Sequence, residues 1–214
     1  MRAFRQNGAP DMRILIASVL LAAAGSSAAD ELVLAPEKFS HCVTCHGVEL
    51  AGNRSVDSPN LSVLQPWYVE RQLAAFAAKL RGHAGDVYGT EMQPMAAALG
   101  AGDLAAAVEF VALVPPRPAA PTISGDAEAG ETLYATCAAC HGANGEGVQS
   151  LDAPPLAGQS DWYLLRQLQN YRSGARGAAA GDIPGAQMSA AMSVLAGTDD
   201  LRNVLAYINT LSQR

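Results

Sequence analysis

The chain has 214 residues, half of them hydrophobic, and carries 20 Asp and Glu against 14 Lys and Arg, a net charge of −6. That acidic balance excludes nucleic acid as the partner, because phosphate recognition needs clustered cations. The charge reads equally as ordinary solubility or as a face for a basic partner.

At the N-terminus, Arg2, Arg5 and Arg13 form a basic region ahead of an apolar run from Ile14 to Ala24. Ser27-Ala28-Ala29 then offers small residues for cleavage before Asp30. This order predicts a secretory signal peptide over residues 1–29, too short for a membrane span; an uncleaved anchor is the alternative. Met12-Arg13-Ile14 opens a complete signal by itself, so Met12 competes with Met1 as the initiator. Loss of Arg2, Arg5, Arg13 and Asp11 takes the net charge from −6 to −8. No later apolar run is long enough to cross a bilayer, which predicts a soluble periplasmic product.

The first helix is expected over Pro36–Cys45, ending in Cys42-Val43-Thr44-Cys45-His46. The second copy of this C-x-x-C-H pattern is Cys137-Ala138-Ala139-Cys140-His141, at the end of a helix expected over Asp126–Cys140. The pattern is the attachment signature of c-type haem. Thiols at i and i+3 share one helical face about a turn apart, so both can reach the vinyl groups of one porphyrin. A His at i+4 from the first Cys shares that face and can rise to the iron. Two boxes predict two covalently held haems c, on Cys42, Cys45, Cys137 and Cys140, with His46 and His141 as proximal ligands. A zinc ribbon would place its two C-x-x-C units about 15–20 residues apart, whereas these begin 95 residues apart and each carries its own His. A thioredoxin-like dithiol would need one such unit near a βαβ pattern, which is absent. All four cysteines lie in the boxes, so no structural disulfide is expected.

Between and after the boxes the pattern is helical. Helices are expected over Pro66–Leu80 and Asp161–Tyr171, with Pro66 in a first turn and Ser160 as an N-cap. Trp67, Leu73, Phe76 and Leu80 approximate one face. Closing helices are expected over Asp103–Leu113 and Asp199–Leu211, with Leu201, Val204, Leu205 and Ile208 at helical spacing. Strand-like alternation is absent, and the glycine-rich segment 142–147 reads as a loop.

The chain is an internal repeat. Pro59, Leu61, Trp67, Tyr68, Arg71, Gln72, Leu73, Arg81 and Gly82 recur 95 residues later as Pro154, Leu156, Trp162, Tyr163, Arg166, Gln167, Leu168, Arg176 and Gly177. The offset then becomes 96, pairing Met92 with Met188, Leu99 with Leu195 and Asp103 with Asp199. Val114-Pro115-Pro116-Arg117-Pro118-Ala119-Ala120-Pro121 cannot sustain a helix and is expected to run extended as a semi-rigid spacer. The divisions expected are a signal peptide at 1–29, a first domain at 30–114, a Pro-rich linker at 115–122 and a second domain at 123–214.

Each half offers thioethers as a sixth iron ligand. Met92 and Met188 keep the repeat register, whereas Met95 and Met192 do not, so the expected axial pairs are His46 with Met92 and His141 with Met188. Met95 and Met192 are expected to fill core space. His41 reads as a solvated helix residue. His83, in the loop where the register changes, is a rival ligand that would make the first haem bis-His.

Taken together, the boxes and the duplicated Pro-x-Leu, Trp-Tyr, Arg-Gln-Leu, Arg-Gly and Met block resemble the dihaem class I cytochromes c of the cytochrome c4 type, over residues 32–212. The resemblance implies an all-α fold of two tandem class I cytochrome c domains, each wrapped around one haem. It also implies that the backbone carbonyls of Pro59 and Pro154 accept from the imidazoles of His46 and His141; the alternative is that these prolines only turn the loop. Pro154-Pro155-Leu156-Ala157-Gly158-Gln159 follows the family pattern, and Pro59-Asn60-Leu61-Ser62-Val63-Leu64 departs from it. Trp67, Tyr68, Trp162 and Tyr163 are either haem or interface contacts or plain core aromatics. The implied function is a periplasmic single-electron carrier between a quinol-oxidising complex or dehydrogenase and a terminal oxidase or reductase. The competing reading is a fixed dihaem subunit of a sulfide, thiosulfate or alcohol dehydrogenase complex. A haem enzyme would need an open or unusual sixth position, and both halves retain a Met. The expected partners are redox proteins, with the chain a monomer or one subunit of a complex.

Overall fold

A computed structural model describes residues 32–83 and 85–211. The expected signal peptide, its cleavage site and both candidate initiators lie outside the described residues. The described chain is built of helices and two isolated β-bridges, Asn53 with Ser58 and Val148 with Ala153.

The first half contains α1 (Ser40–His46), α2 (Pro66–Ala77), α3 (Val87–Ala97) and α4 (Ala101–Leu113). The second contains α5 (Ala127–His141), α6 (Asp161–Ser173), α7 (Ile183–Ala191) and α8 (Thr198–Leu211). Helices α3 and α7 are additions to the sequence reading. Their cores are interrupted by Gly89 and Pro94, and by Pro184 and Gly185, which erase the helical signal. Side-chain caps secure their first turns: Asp86 accepts from Gly89 N at 3.1 Å, and Asp182 from Gly185 N at 3.0 Å. Ser160 does stand at the N-cap of α6, but its hydroxyl caps nothing. Helix α2 stops at Ala77, three residues earlier than expected, as the chain turns through Lys79 at a φ of 56°. Its buried residues are Tyr68, Val69 and Phe76, and Trp67 and Leu73 are half-buried.

The two cores differ in how they are closed. In the second half, α5 and α8 make the most extensive helix contact among the described residues. Gly130 lets their backbones meet, since a Cβ there would lie 2.0 Å from Asn203 O. Tyr134 then packs on Tyr207 at 5.3 Å between ring centroids, over Leu201, Val204, Leu205 and Ile208. In the first half the equivalent position is Ala35, and α1 is a seven-residue helix preceded by a 3-10 turn at Glu37–Phe39. Phe39 stacks on Phe110 at 6.0 Å, over Ala107, Val111 and Val114. Burial of Ala107, Phe110, Val111 and Val114 matches Val204, Tyr207, Ile208 and Leu211. The closing helices therefore run at an offset of 97, correcting the Asp103–Asp199 pairing to Asp103–Asp200.

The Pro-rich segment is no free spacer. Arg117 N donates to Ser62 Oγ at 3.0 Å, and Ala119 N to Gly158 O at 2.8 Å. The carbonyl of Arg117 accepts from Asn60 Nδ2 at 2.7 Å. Prolines leave this strip few amides, and those of Arg117, Ala119 and Thr122 bond to the two halves. Asn60, fully buried, also clasps Gln159: its N–H donates to Gln159 Oε1 at 3.0 Å and its carbonyl accepts from Nε2 at 2.7 Å. The segment in which the first half departs from the family pattern is thus an interdomain fastening.

Candidate functional site

Each C-x-x-C-H box lies on the last turn of its helix, α1 or α5. Cys42 and Cys137 are half-buried and Cys45 and Cys140 are exposed, each pair one turn apart. The helix then ends in a glycine, Gly47 or Gly142, at a φ of 82° or 83°. The reversal is pinned by Gly52 N donating to His46 O and Gly147 N to His141 O, both at 2.9 Å.

His46 and His141 are buried, at 5% and 7% exposure. His46 Nδ1 lies 2.9 Å from Pro59 O, and His141 Nδ1 lies 2.8 Å from Pro154 O. A carbonyl only accepts, so Nδ1 carries the proton and Nε2 keeps its lone pair. Burial pushes both imidazoles below their ordinary pKa, against the opposing pull of the proline carbonyl. The result in each half is a neutral, oriented imidazole with one nitrogen free for a metal. Burial also pushes the Cys42 and Cys137 thiols up. Protonated thiols suit thioether formation with vinyl groups and oppose a thiolate metal site. Among the described residues no three His, Cys, Asp or Glu gather as a bare metal ion would require.

In the first half these groups line an open-sided cavity with an empty volume of about 1340 Å³, mouth included. Cys42, Cys45 and His46 lie on its wall with Met92, Met95, Leu73, Phe76 and Tyr68. A largely apolar wall, two thiols, a neutral imidazole and a thioether together fit a covalently attached haem. The second half repeats the donor set, with Cys137, Leu156, Leu168 and Met188 packed around its core.

The methionines sort by register. Met92 and Met188, both half-buried, occupy the same turn of α3 and α7. Met192 is 5% exposed and corresponds to buried Ala96. Met95 corresponds to exposed Ala191 and is itself 44% exposed, on the wall of the first cavity. His41 is exposed on α1, and His83 is absent from the cavity lining. Its Nε2 is buried without a hydrogen-bond partner among the described residues.

The aromatic pairs divide their tasks. Tyr68 is buried on the cavity wall and its hydroxyl accepts from Arg176 Nη2 of the other half at 3.1 Å. Trp67 Nε1 donates to Gln65 Oε1 on its own half. Tyr163, Arg166 and Gln167 reach across to line the first cavity. Reciprocal ion pairs join the halves: Arg71 to Asp152 at 2.7 Å and Arg166 to Asp57 at 2.6 Å. Sequence reasoning missed these pairs. Their signal was present, because Asp57 and Asp152 recur at the same offset of 95 as the arginines.

A family model for cytochrome c matches residues 29–114 and 127–212. A thiosulfate dehydrogenase electron acceptor of Stutzerimonas stutzeri (strain A1501) is 34% identical over 188 residues, covering 81% of this chain and 80% of that protein. The structure of Acidithiobacillus ferrooxidans cytochrome c4 superposes with a TM-score of 0.62 at 27% identity, over 82% of this chain and 99% of that one. A thiosulfate dehydrogenase, TsdBA, of Marichromatium purpuratum superposes with a TM-score of 0.63 at 32% identity; the match covers 79% of this chain but only 36% of that longer one.

Proposed function

Because this chain belongs to the cytochrome c family, whose domain it carries twice, we propose that His46 with Met92 and His141 with Met188 hold the irons of its two haems c. The protein is a dihaem cytochrome c electron carrier. When bound, each haem takes up and gives back one electron at a time. The chain's own residues supply attachment, orientation and environment. Cys42, Cys45, Cys137 and Cys140 form the thioether anchors. Pro59 and Pro154 hold the imidazoles in one tautomer and orientation through their carbonyls, which raises ligand basicity. Met92 and Met188 supply soft thioether donors that favour ferrous iron and raise the potential. Leu73, Phe76 and Tyr68 keep water from the first site.

The observation that carries this reading is the duplicated neutral imidazole, buried and hydrogen-bonded to a proline carbonyl at 2.9 and 2.8 Å. We assign no catalysis to the chain, because His46 with Met92 and His141 with Met188 would leave no position at either iron for a substrate. Residues 1–29 serve as a cleaved signal and deliver the protein to the periplasm. Among the described residues no helix is long and apolar enough to cross a membrane. The domains are taken as 30–114 and 123–214, joined by 115–122.

The partners are redox proteins. A relative named as a thiosulfate dehydrogenase electron acceptor favours a sulfur-oxidising dehydrogenase as the donor, with this chain either a diffusing acceptor or its fixed subunit. Co-purification at constant stoichiometry with a catalytic subunit separates those two. For the sites, pyridine haemochrome analysis is expected to give two haems c per chain. Met92→Ala and Met188→Ala are each expected to remove part of the red charge-transfer band of ferric Met–iron ligation. An undiminished band in both variants would sink the ligand assignment.

A further inference from the structure

His46 and His141 meet their proline carbonyls in the same way, but the two carbonyls belong to different kinds of peptide. The Pro59 carbonyl is joined to Asn60, whose nitrogen carries a hydrogen; the Pro154 carbonyl is joined to Pro155, whose nitrogen carries none. Each peptide is pressed against the glycine that closes the reversal behind its histidine. A Cβ on Gly52 would stand 2.9 Å from Asn60 N and 3.1 Å from Pro59 C, and one on Gly147 would stand 2.5 Å from Pro155 N and 2.7 Å from Pro154 C. The packing is repeated between the halves, and the hydrogen is not.

The Asn60 hydrogen is used. It is donated at 3.0 Å to Gln159 Oε1, a side chain of the second half. Backbone partners fix the orientation of that side-chain amide. Oε1 accepts from Asn60 N and, at 2.9 Å, from Ser160 N, while Nε2 donates to Asn60 O at 2.7 Å. A backbone N–H only donates and a carbonyl only accepts, so a flipped amide would lose them all. Asn60 is fully buried, and Gln159 and His46 are 3% and 5% exposed, so these bonds lie out of water. One unbroken line results. It runs from His46 Nδ1–H to Pro59 O at 2.9 Å, across a single peptide plane, and from Asn60 N–H to Gln159 Oε1. A mirror-image line is impossible, because Pro155 has no hydrogen to give and Leu64 stands where a second glutamine would be needed.

We propose that Gln159 of the second half tunes the haem of the first, by drawing on the Asn60 hydrogen and so making Pro59 O a stronger acceptor for His46. This rests on the dihaem reading. Hydrogen bonds in series polarise one another, by about 10–30% in strength per bond. A stronger pull on the Nδ1 hydrogen makes Nε2 a better donor, which favours ferric iron and lowers the potential. The second haem receives no such help through Pro154, although Gln159 lies in its own loop. Gln159 is a positioning residue: it acts on iron only through the Pro59–Asn60 peptide and the His46 ring. Two sites built on the same donor set are thereby made unequal.

The test is potentiometric titration of holoprotein carrying Gln159→Met, with each haem followed by the NMR signal of the methyl group of its own proposed axial methionine. Methionine keeps the side-chain length and removes both the acceptor and the donor. The first haem is expected to become easier to reduce by about threefold in its ferric–ferrous equilibrium constant, about 28 mV where tenfold is about 59 mV for one electron. The second potential should stay in place. A shift confined to the second haem, equal shifts in both, or no shift overturns the proposal. Asn60→Ala removes the side-chain bonds to Arg117 and Gly158 but keeps the peptide N–H and carbonyl. It loosens the same contact and should leave the first potential in place; a shift matching that of Gln159→Met would overturn the relay in favour of simple loosening. Gln159→Glu keeps an acceptor oxygen at the same reach and carries the test if the methionine variant does not fold. It should hold the first potential at or below that of the parent, and a rise overturns the proposal. A parent chain without two haems, or without two methionine ligands, defeats the dihaem reading and the proposal with it.

Discussion

Gly130→Ala sets two physical effects against each other with opposite signs. Gly130 lies within α5, where replacing glycine by alanine favours the helix by about 0.8–1.0 kcal/mol. The added Cβ, however, would stand 2.0 Å from Asn203 O, 2.6 Å from Asn203 C and 3.0 Å from Tyr207 Cβ. A carbon meets a carbonyl oxygen comfortably at about 3.3 Å, so α5 and α8 would have to part by more than about 1 Å. Two of the three obstructing atoms are backbone and cannot turn aside. The separation would loosen the Tyr134–Tyr207 ring contact and the cluster of Leu201, Val204, Leu205 and Ile208 beneath it. Overpacking of this kind costs about 1–3 kcal/mol, at times more. With α5–α8 as the most extensive helix pair, the upper end applies, leaving a net loss of about 2 kcal/mol after the propensity gain. Denaturant unfolding of the holoprotein is the assay, and the transition of the second half should move to lower denaturant with its slope unchanged. A variant as stable as its parent, or more stable, would refute the close-crossing argument.

Gly177→Ala should also destabilise, since a φ of 81° costs an alanine about 1–2 kcal/mol and its Cβ would stand 2.3 Å from Gly185 O. The displaced α7 should weaken the Met–iron charge-transfer band of the second haem, so an intact band at normal stability would contradict it. Asp161→Asn tests the start of the second half. Burial raises this carboxyl's pKa, but bonds from Thr122 N and Oγ1, Ile123 N and Asn209 Nδ2 outweigh it and hold the group below its ordinary value. The variant should lose about 2 kcal/mol, in the range for bonds to a charged group. Because the folded pKa is depressed, the wild-type contribution is complete above the unfolded value of about 3.9 and is lost as the pH falls through the folded one. Stability measured against pH should therefore show a constant deficit near neutrality that closes below about pH 4; a deficit that persists in acid would refute the assignment.

The haem boxes were fully legible in the sequence, because two thiols and a histidine at fixed spacing have few other uses. Burial alone does not choose the thioether ligand: Met92 and Met188 are half-buried, whereas Met95 is exposed and Met192 is buried. Helices α3 and α7 were not legible, because Gly89 and Pro94, or Pro184 and Gly185, suppress the periodic signal while Asp86 and Asp182 secure the first turn from outside it. The slip of the closing helices to an offset of 97 was hidden by the paired acids Asp199 and Asp200. Only the apolar register of Phe110 with Tyr207 resolves it. Least legible was the contact between the halves. A repeat pairs Arg71 with Arg166 and Asp57 with Asp152, but similarity cannot say that each arginine reaches the other copy's aspartate.

That exchange has a consequence for how the two copies meet. Residue i of one copy meeting j of the other, while j meets i, is the signature of an isologous two-fold dimer interface. The Arg71–Asp152 and Arg166–Asp57 pairs obey it, as do the bonds from Arg81 to Gln167 and from Arg176 to Gln72. The two copies therefore meet within one chain as the subunits of an isologous homodimer would. The Pro-rich strip both tethers the copies and adds its own bonds to each, through Arg117 to Asn60 and Ser62 and through Ala119 to Gly158. The Asn60–Gln159 clasp has no mirror image, because Pro155 and Leu64 stand at the equivalent positions. One edge of an otherwise two-fold contact is thus directional, which gives the two copies a fixed first and second.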